Sequence, residues 1–563
     1  MTALHPTAGA GAPAPHGGSG GPSGPSGPSD ASGTDAAVDR QHTLTRVPFP
    51  AVDEIARHCL DDDEPETVHI EVHLPGRVDA ARLRTAFHQA LTRHPRILMR
   101  QAPTRWWHRS YAWHLTTGPD RDPVVVPPPG PDALLRARER ALTDCPPLDC
   151  SPPVRLEILG PPVPGGGTVL LLTLNHTALD GPACLRVLAT TAELYGGAGA
   201  GRTGTGAVGG SAGGEDTVPT GGQAGGPDGG QLRGARARFG RPARVAADHQ
   251  DRGGDKGSGP GKGNGMLLTE LPVPARPPRT GGRAPYTVND QLLVATCLMV
   301  ARWNRLHGAR PAPVVVTMPM DDRPRGAEMP IGNGTRLVPV RFGPEERREA
   351  ALLTSGSPAP DAVARLLRRT AERTRALKAA PPGPPLGLAG TVLTAPVLPV
   401  GVRGAVTRAL RRTAAPWTTT TLLSNIGRLP YPLDFGDAGR PTAVWFSAPA
   451  RMPRGLTVTT VSVGGRIQLA LRWSHTLLDE AAGARLATLF RTALAATAWP
   501  GVTAVLGPPP PPPSPPTPPP PPPTPPTPTA SSSPPATPPS APPPPPPPAA
   551  PPPAPPPSEG GAR

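Results

Sequence analysis

The sequence predicts a two-lobed α/β protein, and three observations carry that prediction. A buried-strand pattern followed by His-x-x-x-Asp and a helical pattern occurs twice, once around His176 and Asp180 and again around His475 and Asp479. Three segments too poor in large apolar residues to build a core, 1–44, 196–264 and 508–563, set apart residues 45–195 and 265–507. What remains, about 390 residues, is long enough for two lobes with a core each. With 8 Trp, 7 Phe and 4 Tyr in 563 residues, those cores must rest mainly on Leu, Val and Ala.

In the N-terminal half, residues 68–74 (VHIEVHL) alternate as a strand. Asp79 stands where it can cap a helix whose apolar face is Leu83, Ala86, Phe87, Ala90 and Leu91. That helix runs into Arg93-His94-Pro95. The apolar run 168–174 (TVLLLTL) reads as a buried strand ending at the heptad Asn175-His176-Thr177-Ala178-Leu179-Asp180-Gly181. After Pro182 a helix follows with Cys184, Leu185, Leu188, Ala192 and Tyr195 on one face, stopped by Gly196 and Gly197. A neutral histidine leaving a buried strand can act as a general base towards a bound hydroxyl or amine. It can also be a hydrogen-bonded, inert turn residue. Asp180 can fix the loop that carries it, and Gly181 lets backbone or substrate approach closely.

The Gly-rich segment 196–264 exceeds the usual length of a connection inside a domain, which predicts a disordered insertion between the lobes. Thr287-Val288-Asn289-Asp290 then opens an apolar helix through Trp303. The run 314–318 leads to Asp321-Asp322-Arg323 and to Gly332-Asn333-Gly334, read as a tight turn. Residues 365–378 (RLLRRTAERTRALK) look like the solvated face of an amphipathic helix. Ser424 and Asn425 can donate hydrogen bonds to an oxyanion, or only satisfy a turn between Leu423 and Gly427. An alternating strand with Ile467, Leu469, Leu471 and Trp473 leads to His475 and to a helix with Leu486, Leu489, Phe490, Ala493 and Leu494 on its apolar face. Glu480 replaces the glycine of the first copy and crowds the backbone, so His475 reads as a structural echo. The Pro-rich segment 508–563 is a stiff spacer, or a ligand for a partner with an aromatic groove.

Taken in order, these motifs resemble the condensation-domain superfamily of acyltransferases, which includes chloramphenicol acetyltransferase, peptide-synthetase condensation domains, and the wax-ester and polyketide-ester acyltransferases. Their His-His-x-x-x-Asp-Gly signature has a catalytic second histidine, which falls on His176; Asn175 stands where the first would be. Arg93-His94-Pro95 is similar to a turn of the family's N-terminal lobe. The arginine that relatives place after it, and often pair with the signature aspartate, would fall at Leu98, with Arg96 and Arg100 on either side. Asp321-Asp322-Arg323 with Gly332-Asn333, then Ser424-Asn425-Ile426-Gly427 and Asp434-Phe435-Gly436, continue the series, and Arg323 takes a structural role in it.

The resemblance implies a chloramphenicol acetyltransferase-like (condensation-domain) fold whose lobes meet in a V around a tunnel. It implies transfer of an acyl group from a coenzyme A or carrier-protein phosphopantetheine thioester to a hydroxyl or amine acceptor, in secondary or lipid metabolism. His176 would deprotonate the acceptor, Asp180 would brace its loop, and Asn175, Ser424 and Asn425 would contact substrate or oxyanion. No metal and no bound cofactor is implied. The alternative is a non-catalytic relative that binds a carrier protein or an acyl chain, a reading fed by Asn175 and Leu98.

Composition narrows the classes further. A net charge of +15 invites a nucleic-acid reading. The arginines are scattered through helices and linker alike, which argues against one; basic surface could instead dock an acidic carrier protein or the phosphates of coenzyme A. Five cysteines, an odd number without a Cys-x-x-Cys pair, suit free thiols in a reducing compartment. No signal-peptide pattern opens the chain and no apolar run approaches membrane-spanning length, so a cytoplasmic location is expected. Trp106-Trp107-His108 and Trp113 can pack in the core or at a lobe interface, or line an acyl pocket. Asp61-Asp62-Asp63-Glu64 reads as a solvated loop, because consecutive carboxylates do not converge easily on one ion.

Overall fold

The computed structural model describes residues 45–61, 63–160, 166–200, 240–248, 262–278, 284–324, 329–343, 346, 360–380 and 387–499. The segment 1–44, most of the Gly-rich stretch and the Pro-rich segment 508–563 lie outside the described residues. In the first half run β1 (Thr45–Pro48), α1 (Ala51–His58), β2 (Thr67–His73), α2 (Ala80–Arg93), β3 (Met99–Gln101), β4 (Ala112–Leu115), β5 (Val124–Val125), α3 (Ala133–Thr143), β6 (Val154–Leu159), β7 (Val169–Asn175) and α4 (Gly181–Ala200). The second half holds β8 (Asn264–Pro272), α5 (Val288–Leu306), β9 (Val314–Asp321), β10 (Thr335–Phe342), α6 (Pro360–Ala379), α7 (Gly387–Thr394) and α8 (Val400–Ala414). It closes with β11 (Thr421–Arg428), β12 (Ala443–Ser447), β13 (Leu456–Val463), β14 (Arg466–Ser474) and α9 (Glu480–Ala496).

Two large sheets organise these elements. A five-stranded sheet in the order β12-β2-β7-β6-β5 serves the first lobe, and a six-stranded sheet in the order β10-β9-β11-β13-β14-β8 serves the second. In the first, β7 lies between β2 and β6 and every one of its residues is buried, as its unbroken apolar run requires. One core packs α2 and α4 on this sheet through Leu83, Phe87, Leu91, Leu185 and Leu188. The second core joins α5, α6 and α9 to the six-stranded sheet through Leu293, Leu366, Leu469, Leu486 and Phe490. The lobes exchange material: β12 pairs antiparallel with β2, and Tyr431, Leu433 and Phe435 of the second half join the first core.

Local signals act where the patterns place them. Asp79 accepts a hydrogen bond from the Arg82 amide at 2.9 Å and caps α2. Thr287 and Asp290 form a reciprocal capping box at the start of α5. Asp479 caps α9 through the Ala482 amide at 2.7 Å, so β14, its turn and α9 repeat the plan of β7, its turn and α4. On α6, Val363, Leu366, Leu367 and Ala371 face inward while Arg365, Arg368 and Arg369 do not join the core.

Several expectations need correction. Helix α4 does not stop at Gly196 but continues to Ala200, and Gly196 is held close to the Asp434 carbonyl, where a side chain would collide at 2.9 Å. The expected insertion 196–264 is not uniform either. Residues 240–248 lie against the second lobe, with Ala243 and Val245 buried, because Trp303 and Asn304 of α5 hydrogen-bond the Ala246 backbone at 2.8 and 2.9 Å. Glu64 is buried rather than solvated, accepting from the Ser474 hydroxyl at 2.5 Å and the Met452 amide at 2.7 Å. Trp113 is core, whereas Trp106 and Trp107 are exposed and pack in neither core. All five cysteines carry free thiols, with Cys184 and Cys297 buried. No helix among the described residues is long and apolar enough to cross a membrane.

Candidate functional site

The heptad turn sits where β7 ends and α4 begins, at the wall of a cavity of about 870 Å³. Both halves line it: Glu66, Val68, His176, Asp180 and Gly181 from the first, Asn333, Ser424, Asn425, Phe446 and Arg454 among those from the second. The His176 amide donates to the Glu66 carbonyl at 2.7 Å, which fixes where the side chain leaves the sheet edge. Its Nδ1 lies 2.9 Å from the Leu179 carbonyl. A carbonyl oxygen can only accept, so Nδ1 carries a proton, and in the neutral ring Nε2 keeps its lone pair. That is the tautomer a general base needs.

Asp180 is buried, and its carboxylate is saturated. Oδ1 accepts from the Ala183 amide at 3.0 Å, in the manner of a helix cap. The Arg323 guanidinium donates to both oxygens, at 2.9 and 2.8 Å, and the Gly334 amide and Thr335 hydroxyl donate to Oδ2 at 2.9 and 3.2 Å. Arg323 is therefore the partner of Asp180, and neither Arg96 nor Arg100 takes that place; Arg100 pairs with Asp120 at 2.9 Å and Leu98 is buried in the core. Arg323 is itself steadied by Asp321 at 2.8 Å and the Gly332 carbonyl at 2.9 Å. With every lone pair engaged, Asp180 holds a loop and is not available to accept a substrate proton.

Asn333, read from the sequence as part of a tight turn, does more. Its amide nitrogen donates to the backbone carbonyls of His176 and Thr177 at 3.2 and 2.9 Å and to Asp53 of α1 at 3.0 Å. Gly334 follows because a Cβ there would meet the Arg323 side chain at 2.5 Å. Asp53 was not singled out from the sequence. It is buried between two donors, Asn333 and the Trp113 indole at 2.9 Å. Burial pushes its pKa from 3.8 up to about 6, against the pull of those hydrogen bonds. An acidic residue in the first turn of a short helix gave no cue to this role.

The other expected site residues divide. Gly181 lines the cavity, and a Cβ on it would press on the Phe446 ring at 3.4 Å. Asn175 is buried and does not line this cavity; it lines a separate one beside Cys145 and Pro146. Its amide donates to the Pro146 carbonyl at 2.9 Å and its oxygen accepts from the Thr177 amide at 3.0 Å, so the expected substrate contact is corrected to a brace of the heptad turn. Ser424 and Asn425 both line the cavity from β11. The Asn425 amide is largely engaged, bonding Asn289 at 3.2 Å, Thr460 at 3.1 Å and the Gly427 amide at 3.0 Å. These bonds shape a bulge in which Gly427 adopts a φ of +73°. His475 lies outside the cavity; its Nε2 is 3.7 Å from Glu480. Among the described residues no group of three or more His, Cys, Asp or Glu is placed to hold a metal ion.

Comparison with known proteins gives the fold its class. The first condensation domain of the calcium-dependent antibiotic synthetase, solved with a substrate analogue, superposes with a TM-score of 0.51 at 15% identity over 80% of this chain and 96% of that one. A mutant starter condensation domain of rhizomide synthetase, in complex with C8-CoA and Leu-SNAC, gives 0.49 at 14% identity over 80% and 94%. The chain thus has the two-lobed condensation-domain fold that its ordered motifs led one to expect. In sequence it is 26% identical over 455 residues, 77% of this chain and 96% of the relative, to an uncharacterized protein of Mycobacterium tuberculosis, found alike in strains CDC 1551 / Oshkosh and ATCC 25618 / H37Rv. No protein-family model matches the chain.

Two outcomes follow from this geometry. Replacing Arg323 by Ala leaves a buried carboxylate without its charged partner, a change that costs about 3–5 kcal/mol. Thermal unfolding of Arg323→Ala should show a marked loss, and an unchanged midpoint would contradict the brace. For Asp53 the folded pKa lies above the unfolded one, so its stabilising contribution is complete below pH 3.8 and is lost as the pH rises through about 6. Wild type should therefore lose stability relative to Asp53→Ala across that window; a wild type that gains stability relative to the variant as the pH rises would refute the assignment.

Proposed function

We propose that this protein is an acyltransferase of the condensation type, which moves an acyl group from a thioester to a hydroxyl or amine acceptor. The observation that carries the reading is His176: it lines the cavity with Nδ1 committed to the Leu179 carbonyl, which leaves Nε2 as the ring's only base. In the proposed reaction the acceptor O–H or N–H donates to Nε2 and its lone pair attacks the thioester carbonyl. The carbonyl oxygen gains charge as the tetrahedral adduct forms, and Ser424 on the opposing lobe is the hydroxyl we assign to meet it. Collapse of the adduct expels the thiolate, which recovers the proton from His176. Holding both reactants in one cavity supplies much of the remaining acceleration.

The donor thioester, on coenzyme A or on a carrier-protein phosphopantetheine, follows from the resemblance of the ordered motifs. The complex of the rhizomide synthetase domain with C8-CoA is consistent with it. Asp180 and Asn333 enter this reaction as positioning residues, because both act on the backbone that presents His176. The Asn175 side chain braces the turn from behind, so the absence of a first signature histidine does not touch Nε2.

Replacing His176 by Ala should lower turnover about 10²- to 10⁴-fold, the usual contribution of a positioned general base, while thermal stability stays near that of wild type. Intact-mass analysis with a panel of acyl-coenzyme A and acyl-carrier thioesters plus pooled alcohols and amines would read the transfer. Equal transfer by wild type and His176→Ala sinks the base. Binding without transfer by wild type moves the assignment to a non-catalytic acyl- or carrier-binding protein.

A further inference from the structure

The cavity wall carries more positive charge than its own carboxylates compensate. Lys378, Arg411, Arg428, Arg451 and Arg454 line it, against Glu66, Asp180 and Asp321. Each of the three acids is already paired: Asp180 and Asp321 hold Arg323, and Glu66 holds Arg451. Among the described residues, none offers a carboxylate within ion-pair distance of Lys378, Arg411, Arg428 or Arg454. Arg454 is the extreme case. Its Nε is buried without a hydrogen-bond partner, and no described side chain bonds its guanidinium.

The neighbours of Arg454 make this deficit larger. Arg411 reaches the same loop from α8, donating to the Met452 carbonyl at 2.6 Å and to the Cys59 carbonyl at 3.2 Å, with no acid of its own. Arg244 also faces Arg454, and its buried Nη1 lacks a partner. Burial lowers the pKa of Arg454 to about 10; Glu66 opposes the shift, while Arg244 and Arg411 add to it. A cation taken from water without a counter-charge is strongly unfavourable, and like charges beside it raise the cost. A fold that keeps such a group in a ligand-sized cavity has a place for an anion.

The position is informative too. The Glu66 carbonyl receives the His176 amide at 2.7 Å, and the Glu66 carboxylate grips Arg451, three residues before Arg454. The cationic loop and the histidine are thus tied to one residue. We infer that Arg454, with Arg411 beside it, is an anion-binding subsite that holds a carboxylate or phosphate of the substrate within the cavity. The inference deepens the acyl-transfer reading by naming a charge the substrate carries, and its site of contact requires no transfer chemistry. Arg454 donates two or more N–H bonds to the anion; Arg411 adds charge and orients the loop.

Calorimetric titration tests it with matched probes on the full chain. Decanoate against decanol reports a carboxylate, and decanoyl-coenzyme A against decanoyl-N-acetylcysteamine reports a phosphate. Wild type should bind the anionic member of at least one pair tenfold or more tightly than the neutral one. Arg454→Gln should abolish that preference, Arg454→Lys should keep part of it, and affinity for the neutral probes should hold in both. Which pair shows the preference identifies the source of the anion. Equal affinity within both pairs, no binding of any probe, or a preference that survives in Arg454→Gln overturns the subsite. Should Arg454→Gln fail to fold, the Arg454→Lys and Arg411→Gln variants carry the comparison, and an undiminished preference in both overturns it. Because binding is read without turnover, a protein that shows the preference but transfers nothing refutes the acyl-transfer reading and leaves the subsite standing.

Discussion

The bonds that converge on Asp180 are the constraint on which the candidate site depends. One buried carboxylate caps α4, receives Arg323, and collects the Gly334 amide and the Thr335 hydroxyl. Its four acceptor positions are thereby divided between the lobe that carries the histidine and the hairpin of the other lobe. Such a pair is costly to desolvate and is stable only when its remaining lone pairs are filled, as they are here. The same contacts hold the turn from His176 to Leu179 in the shape that brings the Leu179 carbonyl to Nδ1. In the proposed reaction this loop geometry serves acid–base chemistry: the brace sets the carbonyl, the carbonyl sets the tautomer, and the tautomer leaves Nε2 as the base we assign.

Around that turn the cavity is asymmetric in its chemistry. Phe446, Val68 and Leu185 give apolar wall near the heptad, suited to a hydrocarbon chain. Elsewhere Arg411 and Arg454 bring charge that no acid of the wall neutralises. In the proposed reading a substrate with a greasy part and an anionic part satisfies both surfaces, whereas a wholly neutral one leaves the Arg454 Nε without a partner. Burial, with the Asp180 charge adding to it, raises the Cys184 pKa well above its ordinary value, which disfavours that thiol as a nucleophile.

Much of this was legible in the sequence, for physical reasons. The run 168–174 read as a buried strand because both of its faces meet other elements, and the cap at Asp79 was visible because a side-chain acceptor before an apolar period has one common use. The repeat of β7, turn and α4 by β14, turn and α9 was likewise written in spacing. What escaped was long-range pairing. Nothing local to Asn333 says that its amide will meet His176 from 157 residues away, and nothing near Asp53 announces a carboxylate held between Trp113 and Asn333. Glycine content misled at Gly196, where the helix continues because the residue must pass close to the Asp434 backbone. Asn175 misled in the opposite way: a polar residue in a signature position proved to be spent on its own turn.

The most direct test of the link from brace to base is the protonation pattern of the His176 ring, read by nitrogen-15 NMR on uniformly labelled protein at pH 7.5, with His176→Ala to assign the signal. The geometry predicts that in the neutral ring the proton sits on Nδ1 and Nε2 is bare. An Arg323→Ala variant should lose that single pattern and show mixed tautomers. A ring protonated on Nε2 in the wild-type protein would contradict the assignment of His176 as the base.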